Sequence, residues 1–243
     1  MYPDVPAVFV DTGLEYPEIK QFVRETSNVR ILKPSLTFKQ VLENCGYPII
    51  SKKVSRQIRT LKNPTENNEA TRNLYLTGIK RDGSKSKVFK LSRKYLYLVD
   101  APFKISEECC NIMKKRPMHK FEKETKLNGI NGMMASDGEQ RRLVYLQYGC
   151  NAFEETRNRS MPLGFWTTDD IWSYIKEYGI EYSKIYDKGV HNTGCIFCMF
   201  GVHLDKYPNR FQCLKKTHPK LWKYCLYKLG LKEVLEYINI PYE

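Results

Sequence analysis

The chain has 243 residues, 42% of them hydrophobic and 13% aromatic, which is enough to bury a core as one domain with an appendage or as two small domains, and argues against a disordered chain. Forty Lys and Arg against 27 Asp and Glu leave a net charge of +13, which points to an anionic partner, either a phosphate-bearing nucleotide or a nucleic acid, unless it is only a solvated basic surface. Eight Cys with no apolar leader and no run near the ~20 residues needed to cross a bilayer are expected in a reducing, cytoplasmic protein without membrane partners, where thiols are free or metal-bound.

Along the chain, Ala7-Val8-Phe9-Val10 is a short continuous apolar run and reads as a buried parallel strand ending at Asp11-Thr12-Gly13. Pro17 and Glu18 suit the first turn of a helix with Ile19, Phe22 and Val23 on its apolar face. Val29 to Leu32 reads as the next strand. Thr37 then caps a helix whose Val41, Leu42 and Cys45 face inward, and Gly46 ends it. This β-α-β-α order implies a parallel sheet with its binding edge at the strand carboxyl ends.

Ser51 to Arg59 reads as a basic helix, and Asn63 to Asn68 as a polar loop. Lys80, Arg81, Lys85 and Lys87 surround the turn residues Asp82-Gly83-Ser84, giving an exposed basic loop that is either solvated surface or a phosphate contact. Cys150 reads as a structural thiol. Thr167 or Thr168 caps a helix with Asp169 and Asp170 in its first turn, with Ile171, Trp172, Ile175 and Tyr178 as its inner face and Gly179 as its stop. The tail from Asn209 to Ile238 reads as two or three helices with Phe211, Leu214, Leu221, Trp222, Leu226 and Leu235 inside, and Cys213 and Cys225 as core thiols.

Chemistry concentrates in two thiol doublets. Cys195-Ile196-Phe197-Cys198 lets two thiolates reach one small site from a turn, a spacing shared by zinc sites, iron–sulfur clusters and redox dithiols. Cys109 and Cys110 are adjacent, so their side chains diverge and one tetrahedral ion would strain the backbone to accept both. A [4Fe–4S] cubane offers each sulfur its own iron. The open alternatives are a [4Fe–4S] cluster on Cys109, Cys110, Cys195 and Cys198, buried or redox thiols, and zinc. Lys114, Lys115 and Arg116 place positive charge near the first doublet, where it would lower thiol pKa values, or else form an ordinary basic helix face.

The Cys-Cys pair followed by Lys114 and Pro117, then Gly194-Cys195-Ile196-Phe197-Cys198, resembles the cluster-binding branch of the phosphoadenosine phosphosulfate (PAPS) reductase family. Asp11-Thr12-Gly13-Leu14-Glu15-Tyr16-Pro17-Glu18 is similar to that family's strand-end motif, and Pro162-Leu163-Gly164-Phe165-Trp166-Thr167 to its helix entry. The resemblance implies an α/β fold of the adenine-nucleotide α-hydrolase type, spanning 1–200, with a helical extension at 201–243. It implies substrate contacts at Asp11, Thr12, Gly13, Gly132, Asp137 and Arg141, the last by a planar guanidinium holding phosphate or sulfate. The implied partners are an adenine nucleotide (ATP or PAPS-like) and a sulfur-donor or redox protein, with nucleic acid as a further candidate.

The chain departs from the pattern in four places. The family's Ser-Gly-Gly-x-Asp-Ser phosphate loop is missing. Asp137 and Gly138 stand where Glu and Ser would be, and His191 and Asn192 where a basic residue precedes Gly-Cys. The ending Asn239-Ile240-Pro241-Tyr242-Glu243 lacks the nucleophilic Cys of the sulfonucleotide reductases. The expected activity is therefore sulfur transfer or reduction on an adenylylated or sulfonucleotide substrate, leaning to ATP-dependent sulfur transfer. The alternative is a catalytically silent module that binds nucleic acid or protein and is held together by its cysteines.

Overall fold

The computed structural model describes residues 5–154, 157–191 and 193–243. In chain order the main elements are β1 (Ala7–Val10), α1 (Pro17–Glu25), β2 (Val29–Leu32), α2 (Phe38–Cys45), β3 (Ile49–Ile50), α3 (Lys52–Lys62) and α4 (Glu69–Thr77). Then come α5 (Arg116–Thr125), β4 (Gly129–Ile130), α6 (Glu139–Tyr148), β5 (Asn151–Glu154), β6 (Arg157–Ser160) and α7 (Thr168–Tyr178). The chain closes with β7 (Met199–Phe200), α8 (Arg210–Thr217), α9 (Pro219–Lys223) and α10 (Leu231–Tyr237).

The fold is α/β, with parallel pairing of β1 to β2 and of β3 to β7. The expected parallel pairing is present, and among the described residues it falls in two separate pairs, while β4, β6 and β5 form a mixed three-stranded sheet. The β1 run is also less covered than its sequence implies, since Ala7 is exposed and Val8 to Val10 only half-buried.

Local signals explain the well-placed helices. Thr37 and Gln40 form a reciprocal cap on α2, and Gly46, at φ +108°, ends it. Asn209 and Gln212 cap α8 in the same way, and Thr167 with Asp170 caps α7.

The chain divides into two compact units, residues 1–117 with 184–243, and residues 118–183. The division expected at 200/201 is replaced by this one. Phe211, Leu214, Trp222, Leu226 and Leu235 are buried in the same core as Val41, Ile49, Ile58 and Ile105, so the C-terminal helices are part of the first unit and not an extension. Each such side chain taken fully out of water contributes about 1.5–3 kcal/mol. Cys225 is buried there as expected, whereas Cys213 is only half-buried, its thiol donating to the Pro208 carbonyl at 3.5 Å.

In the second unit α7 has no fully buried residue: Trp172 is 38% and Tyr178 61% exposed, so the expected inner face is largely open. These rings pack on one another instead, Tyr174 on Tyr178 at 4.5 Å and Trp172 on Tyr182 at 5.2 Å between centroids. No helix among the described residues is long and apolar enough to cross a membrane.

Candidate functional site

The segment 47–50 organises the first unit. Tyr47 bridges Ile105 in parallel, its amide donating to the Lys104 carbonyl at 2.9 Å and its carbonyl accepting from Ser106 at 3.1 Å. Two residues later Ile49 and Ile50 pair with Met199 and Phe200. The same short stretch therefore fixes two distant parts of the chain: Cys109 follows Ile105 by four residues, and Cys198 immediately precedes Met199. Convergence of the doublets follows from this shared strand, which their sequence spacing does not reveal.

Each doublet is also pinned. Glu107, only 8% exposed, accepts a two-pronged bond from Arg59 (Nε to Oε2 3.0 Å, Nη2 to Oε1 2.6 Å) and a further one from Arg56 at 3.2 Å. Both arginines project from α3, so the helix holds the residues that enter the Cys109-Cys110 turn. After the pair, Asn111–Lys115 forms a widened π-helical turn ahead of Pro117, which has no amide to return to the Met113 carbonyl. On the other side, the Cys198 amide donates to the Cys195 carbonyl at 3.0 Å, closing the Cys195–Cys198 turn. The Ile196 amide donates to the Leu14 carbonyl at 2.9 Å and so ties this turn to the loop after β1.

Arg210 completes the second anchorage. Its Nη1 donates to the carbonyls of Cys198 (3.2 Å) and Phe200 (3.0 Å), while Nε and Nη2 bind Asp205 at 2.7 and 2.6 Å. Ile50 adopts φ +59°, a conformation costing a β-branched residue about 1–3 kcal/mol. That bend delivers the chain from β3 to the Ser51 cap of α3, where Lys52 reaches Cys110.

The four thiols lie in one another's fields. Hydrogen bonding between Cys109 and Cys110, together with burial and the nearby Cys195 and Cys198, drives the Cys109 thiol far up. The same bond, aided by Lys52 and Lys114 against the effect of burial, lowers Cys110 to about 6. Burial raises Cys195 and Cys198 while Lys114 and Arg210 oppose it. Burial disfavours the Lys114 charge, but the adjacent Cys195, Glu15 and Cys110 outweigh it and raise the ammonium above its ordinary value. Among the described residues no group of three or more His, Cys, Asp or Glu is drawn around a single metal-ion position.

Beside the second doublet is a cavity of about 520 Å³ at the carboxyl ends of β1 and β2. Asp11, Thr12, Gly13, Lys20, Lys33, Lys39 and Thr37 give it a polar wall, and Leu36, Phe197 and Tyr224 an apolar one. The loop itself is held by its own carboxylates. Glu15 accepts from the Thr12 amide (3.0 Å), the Thr12 hydroxyl (2.6 Å) and the Leu14 amide (3.2 Å). Asp11 accepts from the Gly13 amide at 3.0 Å and pairs with Lys20 at 2.7 Å. Burial acts to raise the Asp11 carboxyl, but Lys20 and the Gly13 amide hold it below the ordinary range.

Asp11, Thr12 and Gly13 are thus brought together at this cavity. Gly132, Asp137 and Arg141 fall in the second unit, where Arg141 is ion-paired with Asp137 one helical turn away. Asn192 lies outside the described residues. Lys52 and Arg210 escaped the sequence reading, because each lies well away in sequence from the thiol it serves, Lys52 from Cys110 and Arg210 from Cys198.

An α/β protein with thiol doublets converging at the strand carboxyl edge is the class these observations define. Residues 92–200, a little under half of the chain, match the phosphoadenosine phosphosulfate reductase domain. It is 30% identical over 96 residues to adenosine 5'-phosphosulfate reductase of Oceanobacillus iheyensis, covering 38% of this chain and 37% of that protein. It is 29% identical over 94 residues to adenosine 5'-phosphosulfate reductase 2 of Bacillus subtilis, covering 37% of each. An uncharacterized protein of Methanocaldococcus jannaschii is 26% identical over 145 residues, 58% of this chain and 34% of that one. The chain thus spans little more than a third of the length of these curated relatives. A crystal structure of phosphoadenylyl-sulfate reductase from Candida auris, in a phosphate complex, aligns over 80% of this chain and 72% of that one, at 15% identity and a TM-score of 0.41.

Proposed function

We propose that this chain takes part in sulfur transfer or reduction on an adenylylated or sulfonucleotide substrate, with a [4Fe–4S] cluster held by Cys109, Cys110, Cys195 and Cys198. The observation that supports it is the mutual field of four thiols from two distant doublets, beside a cavity whose loop carries Asp11, Thr12 and Gly13. The donor set suits the group in type, number and surroundings. Four sulfurs are available, two of them adjacent in sequence, and Lys52, Lys114 and Arg210 offset the negative charge that thiolates and cluster bring. A single zinc would need the sulfurs about 3.8 Å apart around one point, from tetrahedral geometry with Zn–S near 2.3 Å. Donors spread over separate irons do not.

When bound, the cluster would supply redox and electrostatic influence on the sulfur-bearing group. The chain's own residues do the rest. Lys33 and Lys39 present positive charge to a phosphate or sulfate in the cavity, while Phe197, Leu36 and Tyr224 offer an apolar surface to a base. Lys114 keeps a full positive charge between Cys195 and Cys110.

Anaerobic purification followed by an absorbance scan and an iron and sulfide assay tests the centre. The expected result is about four irons per chain with broad visible absorbance, lost in Cys110→Ser and Cys195→Ser and kept in Cys213→Ser. An iron-free chain, or one holding stoichiometric zinc, overturns the centre. Equilibrium binding of adenosine phosphosulfate and ATP tests the substrate class: binding weakened in Lys33→Ala is expected, and no binding of either nucleotide overturns it.

A further inference from the structure

The segment from Lys80 to Lys94 carries Lys80, Arg81, Lys85, Lys87, Lys90, Arg93 and Lys94 against one acidic residue, Asp82. With seven cations and one carboxylate in fifteen residues, the segment has a formal charge of +6, nearly half of the chain's net +13. Among the described residues none of the seven is in an ion pair, whereas cations elsewhere, on α3 and at Arg210, are spent on carboxylates. Asp82 forms no ion pair with them; its carboxylate accepts from the Ser84 amide (2.9 Å) and hydroxyl (2.7 Å), and Lys80 is the one cation close enough to help hold it ionised.

This strap is built to a definite shape. Ile79 bridges Lys85 in antiparallel fashion, the Lys80 amide donates to the Ser84 carbonyl at 2.9 Å, and the Ser86 amide to the Gly78 carbonyl at 2.7 Å. Lys53 on α3 donates to the Val88 carbonyl and Gln57 to the Phe89 carbonyl at 2.7 Å, and Leu91 is buried in the core. The backbone is thereby fixed while the side chains are not: the residues from Lys80 to Lys85 are all exposed, and Val88 and Phe89 are 67% and 46% exposed.

We infer that residues 80–94 form a binding surface for a single-stranded nucleic acid, with the cations on its phosphates and Phe89 under an unpaired base. A linear polyanion matches a linear array of unpaired cations, and base stacking on an exposed aromatic is the second part of sequence-tolerant single-strand binding. A membrane surface suits it less, because the exposed Val88 and Phe89 lie in a turn and not on an amphipathic helix long enough to insert. The inference is independent of the thiol centre.

The test is fluorescence anisotropy of the full chain with a labelled 20-nucleotide single strand of mixed sequence between 50 and 200 mM salt. Replacing Lys80, Arg81, Lys85 and Lys87 together by Ala is expected to weaken binding at least tenfold at low salt. It should also flatten the log–log salt slope by about 3, from ~0.7 per phosphate contact over four contacts. The corresponding all-Arg or all-Lys replacements keep both, which separates charge from misfolding. Phe89→Ala should cost at least about fivefold with the slope unchanged, the low end of base–aromatic stacking. An unchanged slope in the alanine variant, no loss in Phe89→Ala, or polyglutamate competing as well as the oligonucleotide overturns the inference. So does binding to phosphatidylserine vesicles with none to the oligonucleotide.

Discussion

Replacing Arg210 by Met isolates what holds the second thiol doublet in place. Arg210 makes two hydrogen bonds to the carbonyls of Cys198 and Phe200 and two charge-assisted ones to Asp205. The guanidinium is about one-third exposed, so the ion pair is partly screened and counts for less than a buried one. The two carbonyl bonds act directly on the turn, and at about 0.5–1.5 kcal/mol each they sum to about 1–3 kcal/mol of local stability. At 1.4 kcal/mol per tenfold, the turn should open about 5- to 150-fold more often. In reduced, metal-free protein this is read as the alkylation rate of Cys195 and Cys198 by peptide mass spectrometry, with Cys45, which Arg210 does not bond, as the internal ruler. Faster labelling at Cys195 and Cys198 alone is expected. Rates within twofold of the parent would show that Arg210 does not hold the turn, and an equal rise at Cys45 that it stabilises the fold generally instead.

Glu107→Gln leaves Arg59 and Arg56 facing a neutral amide at a nearly buried position. A loss of about 2–4 kcal/mol is expected, below the full cost for a buried pair because both arginines are partly exposed, and denaturant unfolding measures it. Gly46→Ala should be more severe, since a Cβ there would lie 2.3 Å from the Lys104 carbonyl carbon at φ +108°. Low soluble yield or a loss above about 3 kcal/mol is expected, and a parent-like melting temperature would refute the close approach. Burial acts to raise the Glu18 carboxyl, but Lys188 and His218 outweigh it and hold it below the ordinary 4.5. A carboxyl lowered by folding contributes stability that is complete above pH 4.5 and disappears as pH falls through the folded value. Glu18→Gln should therefore lower stability at pH 6 while leaving it closer to the parent at pH 3, as followed by thermal melts across that range.

The local elements were readable because their signals are local. The caps at Thr37 and Thr167, the stop at Gly46 and the apolar runs of β1 and β2 each act within a few residues, and each is where its chemistry requires. The openness of Trp172 and Tyr178 on α7 was not readable, because an amphipathic stripe states which face is apolar and not whether anything covers it. The same limit moved the C-terminal helices: their apolar residues were recognised, but which core receives Trp222 or Leu235 is a tertiary matter.

By itself the sequence determined the α/β class, the strand-end loop at Asp11-Thr12-Gly13, the two thiol doublets and the excess of positive charge, since all of these reside in composition and short spacings. Only the tertiary structure decided that segment 47–50 binds both Ile105 and Met199 and so gathers four thiols, that Lys52 and Arg210 serve them, and which cations remain unpaired. The physical reason is that a short parallel strand joins partners more than fifty residues away, through backbone hydrogen bonds that no side-chain pattern encodes.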